Sequence, residues 1–106
     1  MSTGSRVYVT QNDGRFDLTD LNRFGELVVL FNRDIYPDNA GEMTGVMKRA
    51  YDVLREFNPL LDFLCLVGSP VYVAACAYVL GDRGLHPVRL LRYDRHERAY
   101  YEVGIR

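Results

Sequence analysis

Residues 63–80, FLCLVGSPVYVAACAYVL, run for eighteen positions without a charge. A membrane-spanning helix needs about 20 apolar residues, so the run is a candidate span. Three features turn the reading elsewhere. Gly68, Ser69 and Pro70 interrupt its middle, where proline removes a donor and restricts the residue before it. Phe63–Val67 is a short continuous apolar run, as in a strand covered on both faces, whereas Val71–Leu80 is alanine-rich. The flanks, Asp62 and Asp82-Arg83, hold no basic cluster. The stretch therefore predicts a strand, a tight corner and a helix. Ser69 is the expected N-cap, Pro70 the first helical residue and Gly81 the stop.

That helix, residues 70–80, is apolar on every side and must be covered on every side. A chain of 106 residues has one small core and much surface. Either other segments wrap the helix or, as the leading expectation, part of it meets a second copy through Tyr72, Cys76 and Val79, giving a homodimer. Length predicts one domain over residues 1–106, with 1–5 as a frayed terminus. A net charge of -1 gives no general attraction to nucleic acid or anionic membranes. Cys65 and Cys76 both fall in the apolar run and read as buried free thiols. The polar N-terminus is no signal peptide, so the expected location is cytoplasmic.

Along the chain, residues 6–11 (RVYVTQ) alternate and predict a half-buried strand, β1. Asn12-Asp13-Gly14 marks a turn, and residues 17–24 hold one or two helical turns capped by Asp17 or Thr19 and stopped at Gly25. Residues 26–31 (ELVVLF) are continuously apolar and predict a central strand, β2. A polar loop, 32–39, follows. Met43, Val46, Met47, Ala50, Leu54 and Phe57 repeat at helical spacing and predict an amphipathic helix over 42–57, α1, ended by Asn58-Pro59. Strand β3 is 63–67 and helix α2 is 70–80. Residues 88–93 (β4) and 98–103 (β5) form a hairpin. The order β-β-α-β-α-β-β predicts a small three-layer, Rossmann-like α/β domain. Its mixed sheet has β2, β3 and β4 parallel and β5 antiparallel.

Open sheets of this kind bind ligands beyond the carboxyl ends of their parallel strands. The loops after β2, β3 and β4 bring Arg33, Asp34, Gly68, Ser69 and His96 toward one edge. They offer a weak site for an anion or nucleotide, without a phosphate-loop motif. The competing reading makes Gly68 a tight turn and Ser69 a helix cap. Ser69, His96 and Asp34 or Asp94 lack the nucleophile-elbow pattern, so no catalytic residues are assigned. Scattered His and Cys predict no metal, and no cofactor is expected. The final hairpin carries Arg92, Tyr93 and Tyr100. Tyr and Arg suit a protein interface and also stacking on single-stranded nucleic acid, which the charge balance does not favour.

Three segments, FGELVVLF (24–31), LCLVGSPV (64–71) and VRLLRYDRHERAYYEV (88–103), together with VYVTQ (7–11), resemble small uncharacterised proteins of tailed bacteriophages. The resemblance covers most of the chain and implies a viral accessory protein in the host cytoplasm, with no catalytic residues to carry over. The leading expectation is a non-enzymatic phage protein that binds a protein partner and itself. The alternatives are a small-ligand or nucleotide-binding enzyme and a single-stranded nucleic-acid binder.

Overall fold

A computed structural model describes residues 4–12, 14–32 and 40–105, with no side-chain account of Ala40 and Gly41. The apolar run turns its corner as expected. Strand β3 is Phe63–Cys65 and helix α2 is Pro70–Asp82. Between them Gly68 takes a left-handed φ of 88°. The Ser69 hydroxyl accepts from the Val71 N–H at 3.2 Å, the N-cap bond anticipated for it. Gly81 does not stop the helix. The chain continues to Asp82, and Gly84, at φ 69°, supplies the left-handed residue instead. No helix among the described residues is long and apolar enough to cross a membrane.

Strand β1 is Arg6–Gln11, β2 is Glu26–Phe31, β4 is Val88–Asp94 and β5 is Ala99–Ile105. Their order in the sheet is β2-β1-β3-β4-β5, with only β5 antiparallel. Two expectations are corrected here. β1 is central rather than half-buried, and the apolar β2 lies at the edge. Tyr8 and Thr10 look solvent-facing in sequence, yet both are covered. Tyr8 packs on the Phe57 ring at 5.3 Å. Helix α1 is Ala40–Leu54, three residues shorter at its end than the apolar spacing suggests. The chain turns out of the helix there, and Phe57 reaches the core from the turn. The polar loop 33–39, with Arg33, Asp34 and Pro37, lies outside the described residues, as do Asp13 and residues 1–3.

The strand order explains the layers. The step from β1 to β2 runs one way along the sheet; the steps from β2 to β3 and from β3 to β4 run the other way. Right-handed crossovers then place the first connection on one face and the two helices together on the other. The core agrees. Ala50 and Leu54 of α1 join Cys76, Val79 and Leu80 of α2 against Tyr8, Leu64 and Val88. On the opposite face Leu18 and Leu21 cover Val7, Val9, Cys65 and Leu91. Leu21 belongs to a short 3-10 helix, Thr19–Arg23, whose entry is fixed by Asp17 accepting from the Thr19 N–H at 2.9 Å. That crossover forms a thin third layer. The two helices share a face rather than flanking the sheet.

Buried polar side chains tie the strands beyond their ladders. The β1–β3 ladder ends at Val9 and Cys65. Past it, the buried Thr10 hydroxyl accepts from Val67 N–H at 2.8 Å and donates to the Val67 carbonyl. The buried Gln11 Oε1 accepts from Ser69 N–H at 2.6 Å. At the other end, Asp62 accepts from Arg6 N–H at 2.9 Å and Asn58 N–H at 2.8 Å. A Cβ added at Gly68 would lie 2.1 Å from Gln11 Oε1.

Replacing Gly68 with alanine strains a left-handed position and expels Gln11 from its bond. The expected loss is roughly 2–4 kcal/mol in urea unfolding. Gln11→Leu leaves the Ser69 amide unsatisfied and should cost roughly 1–3 kcal/mol. If both variants unfold at the wild-type midpoint, the corner is held by something else. Burial also pushes the thiols of Cys65 and Cys76 up to about 12. The folded state holds these protons more tightly than the unfolded state does. Their contribution is therefore fully present below about pH 9 and is lost as pH rises toward about 12. Unfolding free energy should fall across that window, and a Cys65→Ala, Cys76→Ala double variant should show a shallower fall.

Candidate functional site

Because β1 is parallel to its neighbours, four loops rather than three leave the carboxyl edge of the sheet. The order reverses between β1 and β3, and clefts are expected outside that switch point. Two are present. One, of about 670 Å3, lies toward α1 and is lined by Asn12, Phe31, Asn32, Glu42, Arg49 and Tyr72. It adjoins Asn32, where the described chain stops, so the part expected of Arg33 and Asp34 falls outside the described residues.

The second cleft, of about 530 Å3, lies on the other side of the switch point. The loop after β1 gives Arg15, Phe16 and Asp17. The β3–α2 corner gives Leu66, Val67 and Gly68. The hairpin gives Arg92, Tyr93, Arg95 and Tyr100. Tyr100 is the fixed wall. Its hydroxyl donates to the Asp17 carbonyl at 3.1 Å, and its N–H donates to Asp20 Oδ2 at 2.9 Å. The Arg23 guanidinium bridges Asp20 Oδ1, at 2.9 Å, and the Tyr100 carbonyl. Hydrogen bonds from Arg23 and from the Tyr100 N–H hold the Asp20 carboxyl below its ordinary range. Burial pushes the Tyr100 hydroxyl up to about 12, so it stays protonated and donating. Tyr93, about two-fifths exposed, meets the Tyr100 ring edge-on at 5.1 Å.

The cleft is locally cationic. Its lining includes Arg15, Arg92 and Arg95 and one carboxylate, Asp17, in a chain whose net charge is -1. No ion pair forms between Arg92 or Arg95 and a carboxylate among the described residues. Two other arginines of the region are matched: Arg23 with Asp20, and Arg89 with Glu102 at 3.3 Å.

The expected ligand residues separate. Gly68 lines the second cleft; Ser69 spends its hydroxyl on the helix cap and its N–H on Gln11. His96 sits exposed in the hairpin turn, its N–H held by Asp94 Oδ1 at 2.8 Å. The same Asp94 oxygen also accepts from the Glu97 N–H at 3.3 Å. No hydrogen bond joins Ser69 to His96 among the described residues, nor do they hold a cluster of three potential metal ligands. Arg15 and Phe16 escape a sequence reading because nothing local says that β1 runs beside β3.

The far end of the sheet carries a different surface. Three residues expected at an interface, Tyr72, Cys76 and Val79, are instead covered within the chain, Tyr72 stacked on Phe31 at 4.1 Å. The side of α2 that remains exposed is Ala74, Ala77, Tyr78 and Gly81. Beside it runs an apolar groove of about 420 Å3, bounded by Ala77, Leu80, Leu85, Leu90 and Ile105. The register places Val103 opposite Leu90 and Ile105 opposite Val88, on this same face. Both are exposed, as is Tyr101. The groove lies beside a hairpin, since β4 leads into β5 without a crossover helix.

Fold and clefts together define a small α/β protein built on a five-stranded mixed sheet of order 2-1-3-4-5. The family model for Phage Pam3 gp32-like protein matches residues 5–106, and the chain belongs to that family of small phage proteins. Neither a curated protein nor a solved structure matches the chain.

Removing the Tyr100 hydroxyl tests how the cleft wall is held. Tyr100→Phe should cost roughly 0.5–1.5 kcal/mol and speed amide exchange around Asp17–Thr19. Unchanged exchange there would mean the loop is held without it.

Proposed function

We propose that this protein is a non-enzymatic phage accessory protein of the host cytoplasm that works by binding other protein, and that it pairs with a second copy of itself. The observation that carries this is the uncovered apolar face of the β4–β5 hairpin beside α2. Tyr101, Val103 and Ile105 are each at least 39% exposed, and Tyr78 is 62% exposed. Contiguous exposed apolar surface of this kind marks interaction sites.

A second copy fits the surface for a geometric reason. β5 is an edge strand, and its outer row of N–H and C=O groups is a template for pairing. Antiparallel pairing of β5 with its own copy about a two-fold axis satisfies both edges at once. It also extends the strip of Tyr101, Val103 and Ile105 continuously across the join. Glu102 points to the other face, where Arg89 already holds its charge at 3.3 Å. A stable pair buries about 800 Å2 per partner, which the edge, the strip and the α2 groove would share.

Light scattering coupled to size-exclusion chromatography should give twice the 12.2 kDa chain mass. The double variant Val103→Lys, Ile105→Lys should run as a folded monomer whose melting temperature does not rise with protein concentration, as that of the wild type should, because both side chains are exposed within one copy. A wild-type monomer at 100 μM would remove the self-association.

A further inference from the structure

The turn end of the hairpin lines a second surface. We propose that the cleft between the β1 loop, the Gly68 corner and the hairpin turn binds a nucleotide unit. The base would lie on Tyr93, with its phosphate taken by Arg92 and Arg95.

Four observations converge on it. The cleft lies outside the carboxyl ends of β1, β3 and β4, next to the reversal of strand order, where open α/β sheets take their ligands. Its volume, about 530 Å3, falls within the roughly 300–1,000 Å3 of small-ligand clefts. Arg92 and Arg95 line it without a carboxylate partner among the described residues, although the chain carries 14 acidic residues. Guanidinium groups held without a counter-charge match phosphate oxygens through two parallel bonds each. Finally, Tyr93 offers an accessible aromatic surface whose ring is steadied by the anchored Tyr100. Stacking of a base on such a side chain contributes about 1–3 kcal/mol and tolerates any base.

The chemistry stops at binding. The carboxylate of the lining, Asp17, accepts the Thr19 N–H, which holds it below its ordinary range. The helix-capping donors at Ser69 and Val71 are already used internally. The arginines rather than the helix end would therefore carry the anion. A phosphate with a base comes either from a free nucleotide or from a short single strand, and both present the same unit to the cleft.

The test uses the full chain with two probes, uridine monophosphate by calorimetry and a labelled ten-residue oligothymidylate by fluorescence anisotropy. At least one should bind. The double variant Arg92→Ala, Arg95→Ala should weaken that binding tenfold or more, and Tyr93→Leu should weaken it at least fivefold, with melting temperatures unchanged. Oligothymidylate binding a hundredfold tighter than the mononucleotide, with a steep salt dependence, assigns the site to a strand. Comparable affinities assign it to the free nucleotide. The absence of binding by both probes at millimolar concentration overturns the proposal, as does binding that survives the double arginine variant. Inorganic phosphate binding as tightly as the nucleotide overturns the role given to Tyr93. The Val103→Lys, Ile105→Lys monomer should bind as wild type does, which separates this reading from self-association.

Discussion

Two buried side chains at the end of β1 hold the corner on which the fold turns. Parallel ladders need each strand to stay extended, yet β3 leaves its ladder after Cys65 to start α2. The backbone amides of Val67 and Ser69 would be orphaned there, and an unsatisfied buried amide costs roughly 1–3 kcal/mol. Thr10 and Gln11 supply the missing partners from the neighbouring strand. This fixes the residue type at position 68, since any Cβ would displace Gln11. It also orients α2, because Ser69 must present its hydroxyl to the first turn. The wall of the Arg-lined cleft is thereby set by the same two residues that end β1.

The central place of β1 has a second consequence. With β1 between β2 and β3, the sheet changes direction of growth once, and the connections divide between its faces. One face receives two packed helices, tied by the Tyr51 hydroxyl donating to Asp82 at 2.7 Å. The other receives only a 3-10 helix and its flanking loop. The thin layer suffices because large rings supplement it. Phe24 meets Phe63 edge-on at 5.4 Å, and the Arg89 guanidinium lies over Phe63 at 4.0 Å.

What the sequence makes legible follows from how local each signal is. The corner at 68–70 could be read because glycine, serine and proline each act within a turn. The five strands and two helices could be read from their periods. The position of β1 could not, because Tyr8 and Thr10 carry hydroxyls that alternation assigns to solvent. Only the fold reveals that Phe57 covers the Tyr8 ring and that β3 uses the Thr10 hydroxyl. Strand order is likewise nonlocal, so the apolar β2 reads as central although it is an edge. Helix α2 has apolar residues all round, so no face stood out. Tyr72, Cys76 and Val79 face the core, while small residues and Tyr78 face outward. Of the residues lining the cleft, Gly68 is expected from sequence at a ligand edge and Arg92, Tyr93 and Tyr100 at an interface on the hairpin, whereas Arg15 and Phe16 depend on which strands are neighbours.

The strip runs along β5 from Tyr101 to Ile105 and the cleft begins at Arg92, across the ladder from Tyr101, yet their physics differs. The apolar strip works by exclusion of water and needs close packing. The arginine cleft works by charge and needs an open mouth. Exposed ion pairs such as Arg6–Glu56 and Arg55–Asp52 contribute about 0–1 kcal/mol each, so pairing Arg92 or Arg95 in the same way would have added little stability. Leaving them unpaired costs correspondingly little and creates a local positive field in an otherwise balanced chain. Two-fold pairing along β5 would run the two copies antiparallel. The Arg92 end of each copy would then project at opposite edges of the joined sheet. In the proposed pair each copy would carry its own arginine-lined mouth, one toward either end of the joined sheet.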